Sequence, residues 1–192
     1  MERAFQLLLT CYQNGGKLLL CGNGGSCCDC QHIAGELMKG FLLKRPLPPE
    51  EKAALEAVDE AGKSLAVQLQ RALPTIVLAD LQGLSTAFGN DVEATAAYAQ
   101  QAYAFAQPGD VLLGISTSGN AENVYLAAVA AKAKGAAVLG LTGKGGGRLA
   151  RICDVLLEAP ETETYRVQEK HLPIYHALCA MLEEKLFGGA EG

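Results

Sequence analysis

The sequence predicts one doubly wound α/β domain, with a five-stranded parallel sheet covered by helices on both faces as a three-layer sandwich. Short apolar runs recur along the chain, each followed by glycine or serine and then by a helical pattern. Continuous apolar runs are typical of strands buried on both faces, and strands that alternate with helices through short loops indicate a parallel sheet. The 192 residues suffice for a single domain, 1–192, with its own core.

Each predicted element follows from one of these patterns. The apolar runs that predict strands are Leu18–Cys21, Pro74–Ala79, Asp110–Ile115, Ala137–Leu141 and Val155–Ala159. The main helical patterns are Glu2–Asn14, a helix from the first glycine loop to about Phe41, one from Gly83 interrupted near Gly89–Asp91, one ending at Lys134, and a closing helix over Thr162–Leu186.

The stretch Leu42–Leu73 departs from this alternation. Prolines break the chain at its start, after which two short helices are predicted, Glu50–Asp59 and Lys63–Leu73, on either side of Gly62. A helical hairpin of this size is too small to bury a core of its own, so it is an insertion within the domain. Two interpretations stay open: a cap over the site at the first glycine loop, or a surface decoration that contacts another subunit.

Composition excludes several functional classes. The net charge is −5, with 21 acidic and 16 basic residues, whereas a groove for nucleic acid or an anionic membrane favours the opposite balance. No apolar run approaches the ~20 residues of a membrane helix, and the amino end lacks the features of a signal peptide. We therefore expect a cytoplasmic protein that binds neither nucleic acid nor membrane. Charged residues make up only 19%, which suggests surface hidden in an oligomer.

Seven cysteines occur, and Cys27, Cys28 and Cys30 lie close together at the start of a predicted helix. Cys27 and Cys30 have the spacing of a redox pair, and a helix start lowers the pKa of a thiol. The alternative is that the cysteines are small apolar side chains of a tightly packed helix. The sequence contains no second Cys-x-x-Cys to complete a zinc site, and reduced, buried thiols are the favoured interpretation.

Two polar loops follow the first and third predicted strands. Gly22–Ser26 brings backbone amides close to a ligand and offers Ser26 as a helix cap, and Ser116–Asn120 places three hydroxyls before a helix. In an open α/β sheet, ligands bind beyond the carboxyl ends of strands where the strand order changes. Neither loop matches a nucleotide-binding fingerprint, so we expect a small anion and no nucleotide cofactor. The third glycine-rich segment, Gly143–Gly147, is predicted to be a structural turn.

Candidate proton-transfer groups lie on two helices. His32 and Glu36 are four residues apart on one helical face, and Gln168 and His176 are two turns apart on the closing helix. Pro173 lies between the latter two and removes one helical hydrogen bond. A carboxylate and an imidazole can shuttle protons, and the four side chains can also bind zinc. A purely structural role for the histidines stays open.

Several of these segments, taken in order, resemble the sugar isomerase (SIS) domain family, and in particular its phosphoheptose isomerases. The matching segments are 21–26 (CGNGGS), 29–37 (DCQHIAGEL), 89–91 (GND), 109–120 (GDVLLGISTSGN), 141–144 (LTGK) and 166–169 (RVQE) with His176. The resemblance implies a flavodoxin-like fold, a homotetramer and an aldose–ketose isomerase. The implied reaction converts sedoheptulose 7-phosphate to D-glycero-D-manno-heptose 7-phosphate through an enediolate.

The resemblance also implies a role for individual residues. Glu36 and His176 match the catalytic pair, and a zinc found in some members implies the ligands His32, Glu36, Gln168 and His176. The implied phosphosugar-binding residues are Asn23, Gly24, Gly25, Ser26, Glu36, Ser116, Thr117, Ser118 and Gln168, together with Asn90 and Asp91, which can come from a neighbouring subunit.

Two departures from the family pattern bear on function. Ala121 replaces a serine expected to contact phosphate, and Lys39-Gly40 stands where a Gly-Arg pair is common. They leave open an alternative function, a non-catalytic SIS module that binds a phosphosugar or a replication-initiator-type protein. Glu36 and His176, both retained, favour the isomerase.

Overall fold

In the computed structural model, residues 1–189 are described, and they form one parallel five-stranded sheet in the order β2-β1-β3-β4-β5. The strands are β1 Leu18–Gly22, β2 Thr75–Val77, β3 Val111–Ser116, β4 Ala137–Thr142 and β5 Val155–Glu158. The predicted fold class is therefore confirmed. Neighbouring β1 and β3 end together, since Gly22 pairs with Ile115.

Helices cover both faces of the sheet. They are α1 Glu2–Gln13, α2 Gly25–Met38, α3 Pro49–Glu56, α4 Glu60–Gln68, α5 Gln82–Phe88, α6 Ala97–Phe105, α7 Glu122–Ala133 and α8 Thr164–Phe187. Side chains alternate across β1, so Leu18 and Leu20 join the core under α1, α2 and α8, whereas Leu19 joins the core under α6 and α7. Within residues 1–189, none of these helices is both long and apolar enough to cross a lipid bilayer.

Helix α2 ends at Met38, three residues before the predicted end near Phe41. Lys39 is already extended, with φ −137° and ψ 173°. The carbonyls of Glu36 and Leu37 accept hydrogen bonds from the Arg45 guanidinium at 3.2 and 2.7 Å, which satisfies groups that a helix end leaves open. The end of α2 is thus set by a side chain from the following segment.

The insertion contains two packed helices, but their boundaries differ from the prediction. Gly62 lies inside α4, where a side chain would meet the carbonyl of Leu55, and Asp59 caps α4 by accepting a hydrogen bond from the Ala61 amide at 2.9 Å. Glu51 of α3 borders a cavity together with Gly15 and Gly16, which precede β1. The hairpin therefore flanks the amino ends of the strands, a position that, of the two interpretations left open, favours a surface decoration over a cap on the first glycine loop of the same chain.

Candidate active site

The two polar loops meet at the carboxyl ends of β1 and β3. The strand order is β2-β1-β3-β4-β5, so the chain builds the sheet in one direction from β1 to β2 and in the other from β3 onwards. A sheet of this type leaves a crevice for ligands at that switch point, between β1 and β3. A cavity of about 400 Å³ opens there. Its lining residues are Asn23, Gly24, Gly25, Ser26, Ile115, Ser116, Thr117, Ser118, Ala121, Thr164 and Gln168. The structure thus brings together most of the predicted binding residues.

The first loop is shaped by its glycines. Gly24 has φ +54° and is the N-cap residue of α2, and its carbonyl accepts hydrogen bonds from the amides of Cys27 and Cys28. A side chain on Gly25 would displace the Gln168 amide from its place beside this loop, so glycine allows the close approach of Gln168 from α8. Ser26 is buried in the first turn of α2 and does not cap the helix, so its predicted capping role is wrong.

The second loop continues β3 into α7. Ser116 is buried at the end of the strand, and its hydroxyl accepts a hydrogen bond from the Ala121 amide at 3.4 Å. Ser118 folds back to accept from the Asn120 amide at 3.2 Å, around Gly119 with φ +67°. The loop presents hydroxyls and backbone amides ahead of the amino end of α7, an arrangement suited to an anion.

The glycine-rich segment Gly143–Gly147 is a turn, as predicted, and it supports the second loop. The Gly143 amide donates to the Thr117 carbonyl at 2.9 Å, and the Leu149 amide donates to the Gly119 carbonyl at 3.0 Å. Sequence reasoning missed this contact. The run of glycines was the only local signal for it, because the carbonyls that accept these hydrogen bonds belong to the second loop.

The predicted acid/base groups converge where α2 and α8 pack together. His32 Nε2 lies 3.4 Å from Glu36 Oε1 and 3.4 Å from His176 Nε2. Lys39 Nζ lies 3.1 Å from the other carboxylate oxygen, Oε2 of Glu36. Lys39 thus contacts one carboxylate oxygen of Glu36, while the other oxygen faces the His32 ring.

Two further residues extend this cluster and were missed from the sequence. The Tyr175 hydroxyl lies 3.0 Å from His32 Nδ1 and 3.3 Å from Asp29 Oδ1. Burial raises the pKa of Asp29, while the hydrogen bond from Tyr175 and the nearby His171 and His32 rings oppose the shift. Burial, followed by the negative charge of Asp29, raises the pKa of Tyr175, so its hydroxyl keeps its proton. The signal available in the sequence was the position of Tyr175 next to His176.

The predicted zinc ligands fit a metal only in part. Ligand atoms of a tetrahedral zinc with nitrogen and oxygen donors lie about 3.3 Å apart, and the His32–Glu36 and His32–His176 distances are both 3.4 Å. Across residues 1–189, however, no three histidine, cysteine, aspartate or glutamate side chains are gathered closely enough to hold a metal ion. Gln168 lies at the glycine loop, two helical turns from His176.

Asn90 and Asp91 do not line the cavity of their own chain. They are exposed in a π-helical turn, Gly89–Glu93, where the Asn90 amide donates to Asp91 Oδ1 at 2.8 Å. The predicted interruption of the helix is confirmed at this turn. A role for these two residues requires a neighbouring subunit.

The thiols do not form a reactive pair. Burial raises the pKa of Cys27, and burial raises the pKa of Cys30 well above its usual range. A redox pair needs a stabilised thiolate, so these shifts oppose the redox alternative. All seven cysteines are free, and Cys21 and Cys30 are packed in the core, in agreement with the interpretation as small apolar side chains.

The fold and the site together define an α/β protein with a cavity suited to a small anion at the carboxyl edge of its sheet and a histidine–carboxylate cluster on the helices α2 and α8. A family model for the SIS domain matches residues 1–86 and 51–143. The chain belongs to the SIS domain family, and it is an isomerase.

Its relatives are phosphoheptose isomerases. The one from Aneurinibacillus thermoaerophilus is 38% identical over 97% of this chain and 82% of its own length. The one from Geotalea daltonii is 40% identical over 95% of this chain and 82% of its own length. Among solved structures, the phosphoheptose isomerase from Neisseria gonorrhoeae is 35% identical with a TM-score of 0.74, covering 94% of this chain and 84% of its own. The one from Francisella tularensis is 30% identical with a TM-score of 0.78, covering 95% and 84%.

Proposed function

We propose that this isomerase converts sedoheptulose 7-phosphate to D-glycero-D-manno-heptose 7-phosphate. The observation that carries the proposal is the joint position of an anion-binding cavity and an acid/base cluster along the same two helices. His176 lies eight residues beyond Gln168 on α8, about 12 Å along the axis. A seven-carbon chain with its phosphate spans roughly 10 Å at ~1.3 Å per bond, which is comparable to this separation and supports a heptose phosphate with its phosphate in the cavity and C1 and C2 towards the cluster.

The phosphate is held without a cationic side chain. Among the residues within 1–189 that line the cavity, none is lysine or arginine. The hydroxyls of Ser116, Thr117 and Ser118, the loop amides and the amino end of α7 supply the hydrogen bonds and the favourable dipole. The remote phosphate thereby supplies binding energy that positions the reacting carbons.

Proton transfer is assigned to Glu36 and His176. Glu36 removes a proton from C1 of the ketose as His176 gives its Nε2 proton to the C2 oxygen, which yields an enediol. Glu36 then returns the proton to C2, and His176 takes the proton of the C1 hydroxyl, which yields the aldose. Both side chains end in their starting states, and no hydrogen is lost or gained overall.

The predicted zinc is tested separately, because the steps above use only side chains of this chain. Metal analysis of protein purified without chelators is expected to find about one zinc per chain if His32, Glu36, Gln168 and His176 are ligands. A metal content near zero would contradict that assignment and leave Glu36 and His176 to proton transfer alone.

A cytoplasmic homotetramer completes the proposal. Asn90 and Asp91 are exposed, and the apolar Leu84 and Val92 nearby are 39% and 68% exposed, as expected of a surface covered by another subunit. Free, partly core-packed cysteines suit a reducing compartment. Light scattering gives the mass directly, and a stable monomer with full activity would contradict the contribution of Asn90 and Asp91 across a subunit boundary.

The decisive experiment follows sedoheptulose 7-phosphate in deuterated water by NMR. Wild-type protein is expected to form the aldose and to exchange a C1 proton with solvent, whereas Glu36→Gln and His176→Ala abolish both and still bind the sugar phosphate. Near-full activity in either variant would refute its assignment. Saturable binding without turnover by the wild type would instead favour another substrate or the non-catalytic binding module.

A further inference from the structure

A hydrogen-bonded chain runs from the buried Asp29 through Tyr175 to His32. The Tyr175 hydroxyl lies 3.3 Å from Asp29 Oδ1 and 3.0 Å from His32 Nδ1. Tyr175 is only 2% exposed, and its ring meets the His32 and His176 rings edge-on at centroid distances of 5.5 and 5.0 Å. The position of the hydroxyl is therefore fixed by packing on both imidazoles.

The number of protons shared by Asp29, Tyr175 and His32 determines which group donates in each of their hydrogen bonds. A phenol has one proton to donate, and an ionised carboxylate can only accept. While Asp29 is ionised, the Tyr175 proton goes to Asp29, so the phenol oxygen must accept from His32. The proton of the neutral His32 ring then lies on Nδ1, and Nε2 carries a lone pair.

That lone pair faces the catalytic pair, since His32 Nε2 is 3.4 Å from both Glu36 Oε1 and His176 Nε2. A His32 with its proton on Nε2 would donate to Glu36 and occupy the oxygen that removes the substrate proton. In the other tautomer, Nε2 accepts from His176 and keeps the His176 proton on Nε2, the atom that serves as the acid. The tautomer of His32 thus decides whether both partners are ready to react.

The carboxylate that sets this direction is costly to keep. Asp29 Oδ2 is buried, and within residues 1–189 it has no hydrogen-bonding partner. A buried acceptor left unpaired destabilises a fold, and each such group in a native protein calls for an explanation. For Asp29, the explanation is that its charge orients His32 through Tyr175.

We propose that Asp29 and Tyr175 are positioning residues that hold His32 with its proton on Nδ1, so that Nε2 accepts from the His176 Nε2–H and has no proton to donate to Glu36. The kinetic consequence rests on the isomerase function proposed above, whereas the tautomer itself does not. It is therefore measured on the protein without substrate.

The first test is the ring ¹⁵N spectrum of histidine-labelled protein, recorded with and without a chelator. The chain has only three histidines, which keeps assignment simple. Wild-type His32 is expected to show a protonated Nδ1 and an unprotonated Nε2. Tyr175→Phe, which keeps the ring but removes the hydroxyl, is expected to shift His32 towards the Nε2-protonated form. An Nε2-protonated His32 in the wild type, or unchanged shifts in the variant, would overturn the proposal.

Kinetics supply the second readout. Tyr175→Phe is expected to lower kcat about 10–100-fold, as loss of a partner that orients a functional histidine does, with KM nearly unchanged because the phosphate cavity is remote. Tyr12→Phe is the matched control, since it removes a part-buried hydroxyl that bonds Thr75 at 3.1 Å away from the site, and it should leave kcat intact. A change in KM alone would contradict positioning of the reacting groups.

Asp29→Asn keeps the proposal testable if Tyr175→Phe folds poorly. Its carboxamide can donate or accept, so His32 should populate both tautomers, and an unchanged His32 spectrum would contradict the proposal. A wild type with the expected tautomer but no turnover would refute the proposed reaction and leave the positioning role standing.

Discussion

Arg45 and Glu183 form an ion pair closed to solvent, with Arg45 Nε 2.7 Å from Glu183 Oε1 and side-chain exposures of 0% and 1%. Glu183 also accepts the backbone amides of Phe41, Leu42 and Leu43 at 2.6–3.0 Å. The Arg45 guanidinium reaches the carbonyl of Glu36. The pair therefore ties the segment after α2 to α8, directly behind Glu36, the carboxylate to which proton transfer is assigned in the proposal.

Glu183→Gln is expected to destabilise the fold by about 3–5 kcal/mol, because the substitution leaves the Arg45 charge buried without its counter-ion. The control is Glu60→Gln in the exposed pair with Lys63, which should cost about 0–1 kcal/mol. Urea unfolding of both variants measures the difference. Equal losses would mean that the buried pair contributes no more than a surface pair.

The same pair predicts a loss of stability in acid. Burial opposes ionisation of Glu183, but the amides of Phe41 and Leu42 and the Arg45 guanidinium outweigh it and lower the pKa of the folded state. Because the pKa of Glu183 is lower in the folded protein than in the unfolded chain, ionised Glu183 stabilises the fold fully above the unfolded pKa of about 4.3. This stabilisation is lost as the pH falls through the folded-state pKa. The stability gap between wild type and Glu183→Gln should therefore be constant from pH 7 to about 5 and narrow below 4. A difference in unfolding free energy that does not change with pH would contradict stabilisation by the ionised Glu183 carboxylate.

Gly119→Ala is expected to distort the second polar loop, Ser116–Asn120. Gly119 has φ +67°, and a side chain there would meet the Gly146 carbonyl. Gly145→Ala is a matched control with φ +89° and open space around the added methyl, so it should cost only about 1–2 kcal/mol of backbone strain. Thermal unfolding and KM for the sugar phosphate separate the two variants. If Gly119→Ala lowers the unfolding temperature and raises KM no more than Gly145→Ala does, the predicted clash with Gly146 is refuted.

Ala121→Ser is expected to tighten phosphosugar binding. Ala121 lines the cavity, and a serine there adds one hydroxyl towards the anion. One neutral hydrogen bond contributes about 0.5–1.5 kcal/mol, which corresponds to a roughly two- to tenfold lower KM. Ala54→Ser, on the exposed surface of α3, serves as the control and should leave KM unchanged. A KM that does not fall would place the phosphate away from residue 121.

Local patterns in the sequence determined the sheet and the two ligand loops. Apolar runs such as Leu18–Cys21 locate strands because burial on both faces demands apolar side chains at consecutive positions. Glycine and serine after β1 and β3 locate the loops because close backbone approach demands those residue types. The spacing of His32 and Glu36 by itself puts them on one face of α2, because four residues are close to one helical turn.

Contacts between distant parts of the chain were decided only by the tertiary structure. Tyr175 is 146 positions from Asp29 and 143 from His32, and Arg45 is 138 positions from Glu183. No local period encodes such pairs, because their hydrogen bonds form only after α2 and α8 pack together. For the same reason the end of α2 and the support of the loop Ser116–Asn120 by the Gly143–Gly147 turn could not be read from the sequence. The strands and glycine loops could be, because neighbouring residues determine them.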